Sequence, residues 1–141
     1  MCPGFFIKKT GKKEEKTTGS ISISGVLLNK LLENAGRSYP DESCGVLLGK
    51  ENEPKISRLY VMRNRAADNG EENSFRIDPL SMYDAERAAK TEGLQILGFY
   101  HSHPDAPAVL SLTDKEHMIP GMLYVILSVW DRQTRGMRGT L

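Results

Sequence analysis

Two histidines separated by one residue stand at the end of an apolar segment. His101 and His103 follow the run 94–100, LQILGFY, and Pro104 comes directly after them. Side chains alternate along a β-strand, so both imidazoles would project from the same face. Neutral imidazole is a common zinc ligand, and such a pair could begin a metal site. Alone the pattern is weak, because similar pairs also occur on proteins that bind no metal.

An acidic residue a short way along the chain could complete that site. Thr113 and Glu116 have the spacing of a capping box, so a helix should begin near them. Ser111 and Asp114 would then lie near one side of the helix start, and both could simply be capping residues. Combined with the two histidines, Asp114 gives zinc three protein ligands and leaves the fourth tetrahedral position open for water. That arrangement is typical of catalytic rather than structural zinc sites.

Four polar positions and a proline at fixed spacings form one string in this segment, His101-x-His103-Pro104-x6-Ser111-x-x-Asp114. The string resembles the signature of the JAMM (MPN+) metallopeptidases, the family of the zinc deubiquitinases and their bacterial relatives. That family also has an upstream glutamate in a Pro-x-Glu-x-Cys-Gly context before a strand, and residues 40–45 here read PDESCG. The resemblance covers about residues 21–135. It implies an α/β fold, a mixed β-sheet flanked by helices in a three-layer, cytidine-deaminase-like architecture.

The resemblance also implies a role for each matching residue. One zinc ion would be held by His101, His103 and Asp114. Glu42 would take the proton of the attacking water and pass it to the leaving amine. Ser111 matches the position that hydrogen-bonds the oxyanion or the water, so its loss should slow turnover while metal binding persists.

Neighbouring residues leave other interpretations open. By its own chemistry Glu42 could be an ordinary exposed glutamate, and Asp41 beside it could compete for its role; only the family spacing selects Glu42. His117 follows Asp114 by three residues, but a solvated helix histidine fits it better because three ligands are already present. Cys44 could suggest a thiol peptidase, although a cysteine entering an apolar strand should be buried and inert.

The elements that must position these residues follow from hydrophobic periodicity. Ser24 is a plausible N-cap of a helix that Gly36 would end as its C′ residue. A second helix should begin at Asp78-Pro79 and run to about Thr91. Apolar or alternating runs predict strands at 20–24, 46–48, 55–63, 94–100 and 122–130, and a last strand near 136–141 that could be short. The order β-α-β-β-α-β-α-β, with a possible last strand, is that of a mixed α/β layer fold.

Length and charge bound the class of protein. The chain has 141 residues, which suffices for one domain. Residues 1–20 hold five of the 19 basic and two of the 18 acidic side chains, and we expect them to be a disordered tail. Residues 21–141, expected to form a single JAMM domain, therefore carry 14 basic and 16 acidic side chains. This near-neutral balance argues against nucleic acid or an anionic membrane as the partner.

The remaining composition indicates a soluble, cytoplasmic protein. No segment approaches the run of about 20 apolar residues that a membrane helix requires. Two cysteines, Cys2 and Cys44, do not make a disulfide framework, which favours a reducing compartment.

The substrate class follows from the resemblance alone. The family cleaves amide or isopeptide bonds after the C-terminal glycines of ubiquitin-like β-grasp proteins. The chain looks like the compact bacterial form, in which the partner is often a small sulfur-carrier protein. We expect the extended glycine tail to lie beside the sheet edge at 55–63 and the loop 64–77. The alternatives are a non-catalytic MPN scaffold, whose members usually lose the ligands kept here, and a zinc hydrolase of a small molecule, for which no separate pocket motif is present.

Overall fold

The computed structural model describes residues 4–9, 20–62, 79–116 and 118–140. Within these ranges eight β-strands form one sheet: β1 (Gly4–Lys9), β2 (Ser20–Ile23), β3 (Cys44–Gly49), β4 (Lys55–Ile56), β5 (Arg58–Met62), β6 (Gln95–Pro104), β7 (Leu123–Trp130) and β8 (Gln133–Thr140). Three helices accompany it: α1 (Gly25–Ser38), α2 (Pro79–Thr91) and α3 (Leu112–Glu116). The strand order across the sheet is β4-β2-β1-β8-β7-β6-β3-β5.

Strand β6 occupies a central place in this sheet. It pairs antiparallel with β3 on one side and parallel with β7 on the other. All three strands are largely buried, as their continuous apolar sequences predict. Residues at the end of β6 are therefore held in register from both sides.

Helices cover both faces of the sheet. Leu47 and Tyr100 pack in one apolar cluster with α1, whereas their chain neighbours Val46 and Phe99 pack in a second cluster with α2. Successive strand residues thus enter opposite layers, as the pleat requires. The predicted α/β class, a mixed sheet flanked by helices in three layers, is confirmed.

Helix α1 begins as predicted but ends later. The Ser24 side chain accepts a hydrogen bond from the Leu27 backbone N–H at 3.2 Å, which makes it the N-cap. The prediction that Gly36 terminates the helix is wrong, because α1 continues to Ser38. A Cβ at Gly36 would lie 2.5 Å from the backbone oxygen of Arg132. This glycine therefore permits a close approach between α1 and the turn from β7 to β8.

The strand expected over 55–63 is divided in two. Ser57 separates β4 from β5, and its backbone N–H donates to the Leu48 carbonyl at 2.8 Å. β4 pairs with β2, whereas β5 pairs with β3 at the opposite end of the strand order. Because the two strands are one residue apart in the chain, the two ends of the sheet meet there.

The chain termini depart from expectation. Strand β8 is a full eight-residue strand rather than a short one. The expected disorder of residues 1–20 is wrong for Gly4–Lys9, which pair parallel with β2 and antiparallel with β8. These residues supply backbone partners to an otherwise unpaired edge of β8. Residues 1–3 and 10–19 lie outside the described residues, and a single domain over 21–141 stays a prediction. None of the described helices is long and apolar enough to cross a membrane.

Candidate active site

The end of β6 brings the two predicted histidines together on one face of the sheet. His101 lies opposite Cys44 of β3, and His103 lies beside Ser128 of β7. Both imidazoles are largely buried, and their Nε2 atoms are 3.1 Å apart. The alternation of the strand therefore aims both rings at the same point, as the sequence predicted.

Helix α3 brings the predicted carboxylate to that point. Asp114 Oδ2 lies 3.3 Å from His101 Nε2 and 3.2 Å from His103 Nε2. These three residues form the group within the described ranges that could hold a metal ion. The structure thus joins all three predicted ligands, although two come from a strand and one from a short helix.

The size of this group fits zinc. An ion with nitrogen and oxygen ligands at about 2.0–2.2 Å in tetrahedral geometry separates its donor atoms by about 3.3–3.5 Å. The observed separations of 3.1–3.3 Å among the three donors are close to this value. His103 Nδ1 lies 3.0 Å from the Pro107 carbonyl, to which it donates as N–H, so its Nε2 presents a lone pair to the group. Converging lone pairs and a carboxylate form an arrangement that a cation stabilises.

Ser111 positions Asp114 through reciprocal hydrogen bonds. The Ser111 N–H donates to Asp114 Oδ2 at 2.9 Å, and the Asp114 N–H donates to Ser111 Oγ at 3.0 Å. This is the capping-box pattern, with Ser111 as the N-cap of α3. The predicted spacing of Thr113 and Glu116 indicated the right segment but not the pair that exchanges these bonds. The capping role and the site role expected for Asp114 are compatible.

Glu42 lies two residues before the start of β3, close to His103. Because Cys44 is paired with His101, Glu42 is level with His103 across the two strands. The side chain is buried rather than exposed, with 6% of the residue accessible, so the alternative of an ordinary exposed glutamate is wrong. Burial raises the pKa of the Glu42 carboxyl to about 7, His103 opposes this rise, and the Asp114 carboxylate adds to it.

The other ionisable groups of the site are shifted in different directions. Burial lowers the pKa of His101, which keeps the ring neutral at pH 7. Burial also opposes ionisation of Asp114, but its close contacts with both imidazoles and the hydrogen bond from the Ser111 N–H outweigh burial and hold its pKa well below the usual range. Burial likewise opposes the charged form of His103, but contacts with Asp114 and Pro107 raise its pKa overall.

Cys44 and Asp41, the other two candidates among the described residues, do not belong to this group. Cys44 is buried, its Sγ lies 3.9 Å from the Met62 carbonyl, and burial raises the pKa of its thiol to about 12. The expectation of a buried cysteine is confirmed, and the raised pKa agrees with the low reactivity predicted for it. Asp41 is exposed, unlike Glu42. His117 lies outside the described residues.

Sequence reasoning missed the support of the loop that holds His103. Ser128 Oγ donates to the Ala106 carbonyl at 2.6 Å and accepts from Trp130 Nε1 at 2.9 Å. Ala106 precedes Pro107, whose carbonyl orients the imidazole. A lone serine in the apolar run LYVILSVW was the available signal. Trp130, the last residue of that run, is 38% exposed.

Comparison with known proteins assigns the family. A family model for prokaryotic homologs of the JAB domain matches residues 25–139. The chain belongs to this family. A desampylase of Haloferax volcanii is 33% identical over 109 residues, which are 77% of this chain and 77% of that protein. A CysO-cysteine peptidase of Mycobacterium tuberculosis is 31% identical over 117 residues, covering 82% of this chain and 78% of that one.

A solved structure agrees on the fold. A JAB1/MPN domain protein from Archaeoglobus fulgidus superposes with a TM-score of 0.54 at 21% identity, covering 83% of this chain and 85% of that one. The predicted relationship to the JAMM peptidases is confirmed, and with it the prediction of an enzyme of the peptidase class.

Proposed function

We propose that this chain is a zinc-dependent peptidase that hydrolyses the amide or isopeptide bond following the C-terminal Gly-Gly of a ubiquitin-like or sulfur-carrier protein. The observation that carries the proposal is the convergence of His101, His103 and Asp114 donor atoms within 3.3 Å of one another, beside a buried Glu42. The relatives named desampylase and CysO-cysteine peptidase support a protein conjugate as the substrate. The charge balance and cysteine content support a cytoplasmic location.

One zinc ion would be held by the two Nε2 atoms and by Asp114 Oδ2. Bound zinc acts as a Lewis acid that makes water nucleophilic near neutral pH and polarises the scissile carbonyl. His101 contributes a neutral ring because burial lowers its pKa, and Asp114 contributes a full negative charge because its pKa is held low. The donor set therefore suits a divalent cation with one position left for water.

Glu42 is the group that moves protons in this proposal. It takes a proton from the attacking water and later donates it to the nitrogen of the leaving amine. Burial raises the pKa of this carboxyl, which makes it a better acceptor for the proton that it takes from the water.

Ser111 stabilises the charge that develops on the substrate. Its oxygen accepts from the Asp114 N–H, which leaves the hydroxyl hydrogen to be donated elsewhere. The proposed acceptor is the oxygen of the scissile carbonyl as it gains negative charge.

Strand β5 offers a path for the substrate tail. It is the last strand in the sheet order, so an extended peptide could add to its outer edge through backbone hydrogen bonds. Met62 of β5, Cys44 of β3 and His101 of β6 lie in one row across the sheet. A tail lying along β5 would therefore end beside Glu42 and the metal ligands. The loop 64–77, also expected to contact the tail, lies outside the described residues.

Mass spectrometry of conjugates tests the proposal. Sulfur-carrier proteins with an amide-linked C-terminal residue are incubated with the zinc-loaded protein and with Glu42→Gln. We expect zinc-dependent release of the added residue by the wild type, and loss of release in the variant with zinc still bound. The proposal fails if the zinc-loaded wild type leaves every carrier adduct and every ubiquitin-type isopeptide bond intact. Cleavage of ubiquitin-type bonds alone would exclude only the sulfur-carrier substrate.

Metal analysis separates an enzyme from a non-catalytic scaffold. An enzyme should be purified with zinc and should lose it on His103→Ala, while His117→Ala, the matched histidine outside the ligand set, should keep it. A wild-type protein without zinc, unchanged in every respect by His103→Ala, would instead support the scaffold.

A further inference from the structure

Two serines link the start of β3 to the end of β6. Ser43 and Ser102 are buried, with 4% and 0% of each residue exposed. The Ser43 backbone N–H donates to Ser102 Oγ at 2.8 Å, and the Ser102 N–H donates to the Ser43 carbonyl at 3.0 Å. The Ser43 hydroxyl also donates to Ser102 Oγ at 3.0 Å. The Ser102 oxygen thus accepts two hydrogen bonds from one residue of the opposite strand.

This linkage departs from a regular β-ladder. In an antiparallel hydrogen-bonded pair, two opposed residues exchange two backbone bonds. Here one bond is backbone to backbone, and the return bond from the Ser43 N–H goes to the Ser102 side chain instead. The Ser102 side-chain oxygen therefore fixes the backbone where the chain enters β3.

The linked residues adjoin the proposed catalytic groups. Ser43 directly follows Glu42, and Ser102 lies between the two histidines. Because side chains alternate on β6, the Ser102 hydroxyl points away from the face that carries the imidazoles, so it is not a metal ligand. It contacts the segment that carries the proton-transferring carboxyl.

We propose that Ser102 is a positioning residue. Its hydroxyl holds the Glu42 carboxyl at the distance from the metal ligands that proton transfer requires. The inference rests on the proposed function, because Glu42 needs a defined position relative to the ligands only if it transfers protons. The histidines are held separately, by the ladders of β6 with β3 and β7. Loss of the Ser102 oxygen should therefore displace Glu42 while leaving the ligands in place. A displacement of about 1 Å can lower a rate by about 100-fold.

The test compares Ser102→Ala with Ser43→Ala in the zinc-loaded full chain. Ser43→Ala is the matched control, since it removes one hydroxyl from the same buried pair and keeps the backbone bond to Ser102 Oγ. With a carrier adduct that the wild type cleaves, we expect kcat to fall roughly 30- to 100-fold for Ser102→Ala. KM and the zinc dissociation constant should stay within about threefold, and Ser43→Ala should keep kcat within about threefold. Equal kcat losses in both variants, or a zinc affinity that falls with kcat, would overturn the proposal.

A structural measurement keeps this test independent of the substrate. Nuclear Overhauser contacts between Glu42 and His103 in the zinc-loaded protein should weaken in Ser102→Ala and persist in Ser43→Ala. Unchanged contacts in Ser102→Ala would overturn the positioning role, whatever the activity. If the wild type cleaves no adduct, the proposed function fails, and these contacts still decide the role of Ser102. Should Ser102→Ala not fold, Ser102→Cys fills a similar space with a weak acceptor and takes its place in both measurements.

Discussion

The two carboxyl groups of the site have opposite environments. Glu42, at the entry to β3, has its pKa raised to about 7 by burial. Asp114, in the first turn of α3, has its pKa held well below the usual range. Both side chains are largely buried, so burial alone does not separate them. The difference lies in their partners, because Asp114 accepts from a backbone N–H and faces two imidazoles.

This difference in pKa agrees with the different roles proposed for Glu42 and Asp114. A carboxylate that stays ionised at every ordinary pH suits a metal ligand, whereas one that titrates near neutrality suits a proton carrier. Two carboxyl groups whose surroundings push their pKa values apart commonly divide the acid-base roles in this manner. In the proposed mechanism, the helix N-terminus at Asp114 and the buried entry to β3 at Glu42 therefore account for which carboxyl would bind the metal and which would carry the proton.

Asp114→Asn should have the largest effect of the substitutions at the two carboxyl groups, because it should impair both zinc binding and cleavage. The amide keeps the shape but removes the charge that balances the cation, so zinc affinity should fall at least about 100-fold and cleavage should become undetectable. Zinc content after dialysis and chelator competition measure this. Glu42→Gln is the matched control and should keep its zinc; a zinc-replete Asp114→Asn would contradict the assignment.

Ser111→Ala should act on both the substrate and Asp114. Loss of the proposed oxyanion donor should lower kcat by about 100-fold. Loss of the cap, typically worth about 1 kcal/mol, should also weaken zinc binding by about fivefold. Steady-state kinetics and chelator competition separate the two effects, and Ser111→Thr, which keeps the hydroxyl, should restore most of both. Wild-type kcat in Ser111→Ala would remove the serine from the mechanism.

The pH dependence of stability should have opposite signs for the two carboxyl groups in metal-free protein. The folded-state pKa of Glu42 is raised from 4.5 to about 7, so wild-type stability falls as pH rises through that interval. Glu42→Gln should therefore be more stable than the wild type by about 3 kcal/mol at pH 8 and similar to it at pH 4.

The folded-state pKa of Asp114 is lowered, so its ionised form stabilises the fold above the unfolded value, and this stability is lost as pH falls. Asp114→Asn should be less stable than the wild type at pH 7, and the gap should close in acid. Urea unfolding of the wild type and both variants at several pH values measures how each substitution changes the free energy of unfolding as pH rises. If both substitutions changed the pH dependence of stability in the same direction, the opposite pKa shifts of Glu42 and Asp114 would be contradicted.

Ser128→Ala should have the smallest effect. It removes the donor to the Ala106 carbonyl and loosens the loop whose next carbonyl orients His103, so zinc affinity should fall about tenfold. Ser57→Ala, at a serine whose backbone N–H makes the ladder bond, is the control and should bind zinc normally. An unchanged affinity in Ser128→Ala would show that Pro107 holds its position without this support.

The grouping of His101, His103 and Asp114 could be predicted from the sequence, because strand alternation and short sequence spacing place these residues together. Strand alternation places His101 and His103 on one face, and short spacing brings Asp114 within reach. Ser24 and the start of α2 were predictable for the same reason, since caps and prolines act on adjacent residues.

Features that depend on distant contacts were not predictable. Gly36 resembles a helix end, but its role depends on the Arg132 carbonyl far along the chain. The break at Ser57 arises because neighbouring residues pair with strands at opposite ends of the sheet. In the sequence, Ser102 is only the residue between the two histidines. Its role depends on the contact of its hydroxyl with Ser43, which is 59 positions away in the chain.

The buried thiol of Cys44 has a consequence for the coordination number of the metal. It lies opposite His101 in the ladder, on the same face of the sheet. Thiolate is a strong zinc ligand, and a fourth protein ligand would close the site into the type that only supports structure. Among the described residues, Cys44 does not belong to the group of donor atoms that lie within 4.8 Å of one another, and burial, which raises the pKa of its thiol to about 12, opposes its ionisation. In the proposed mechanism Cys44 is therefore not a ligand, and one coordination position is left for water.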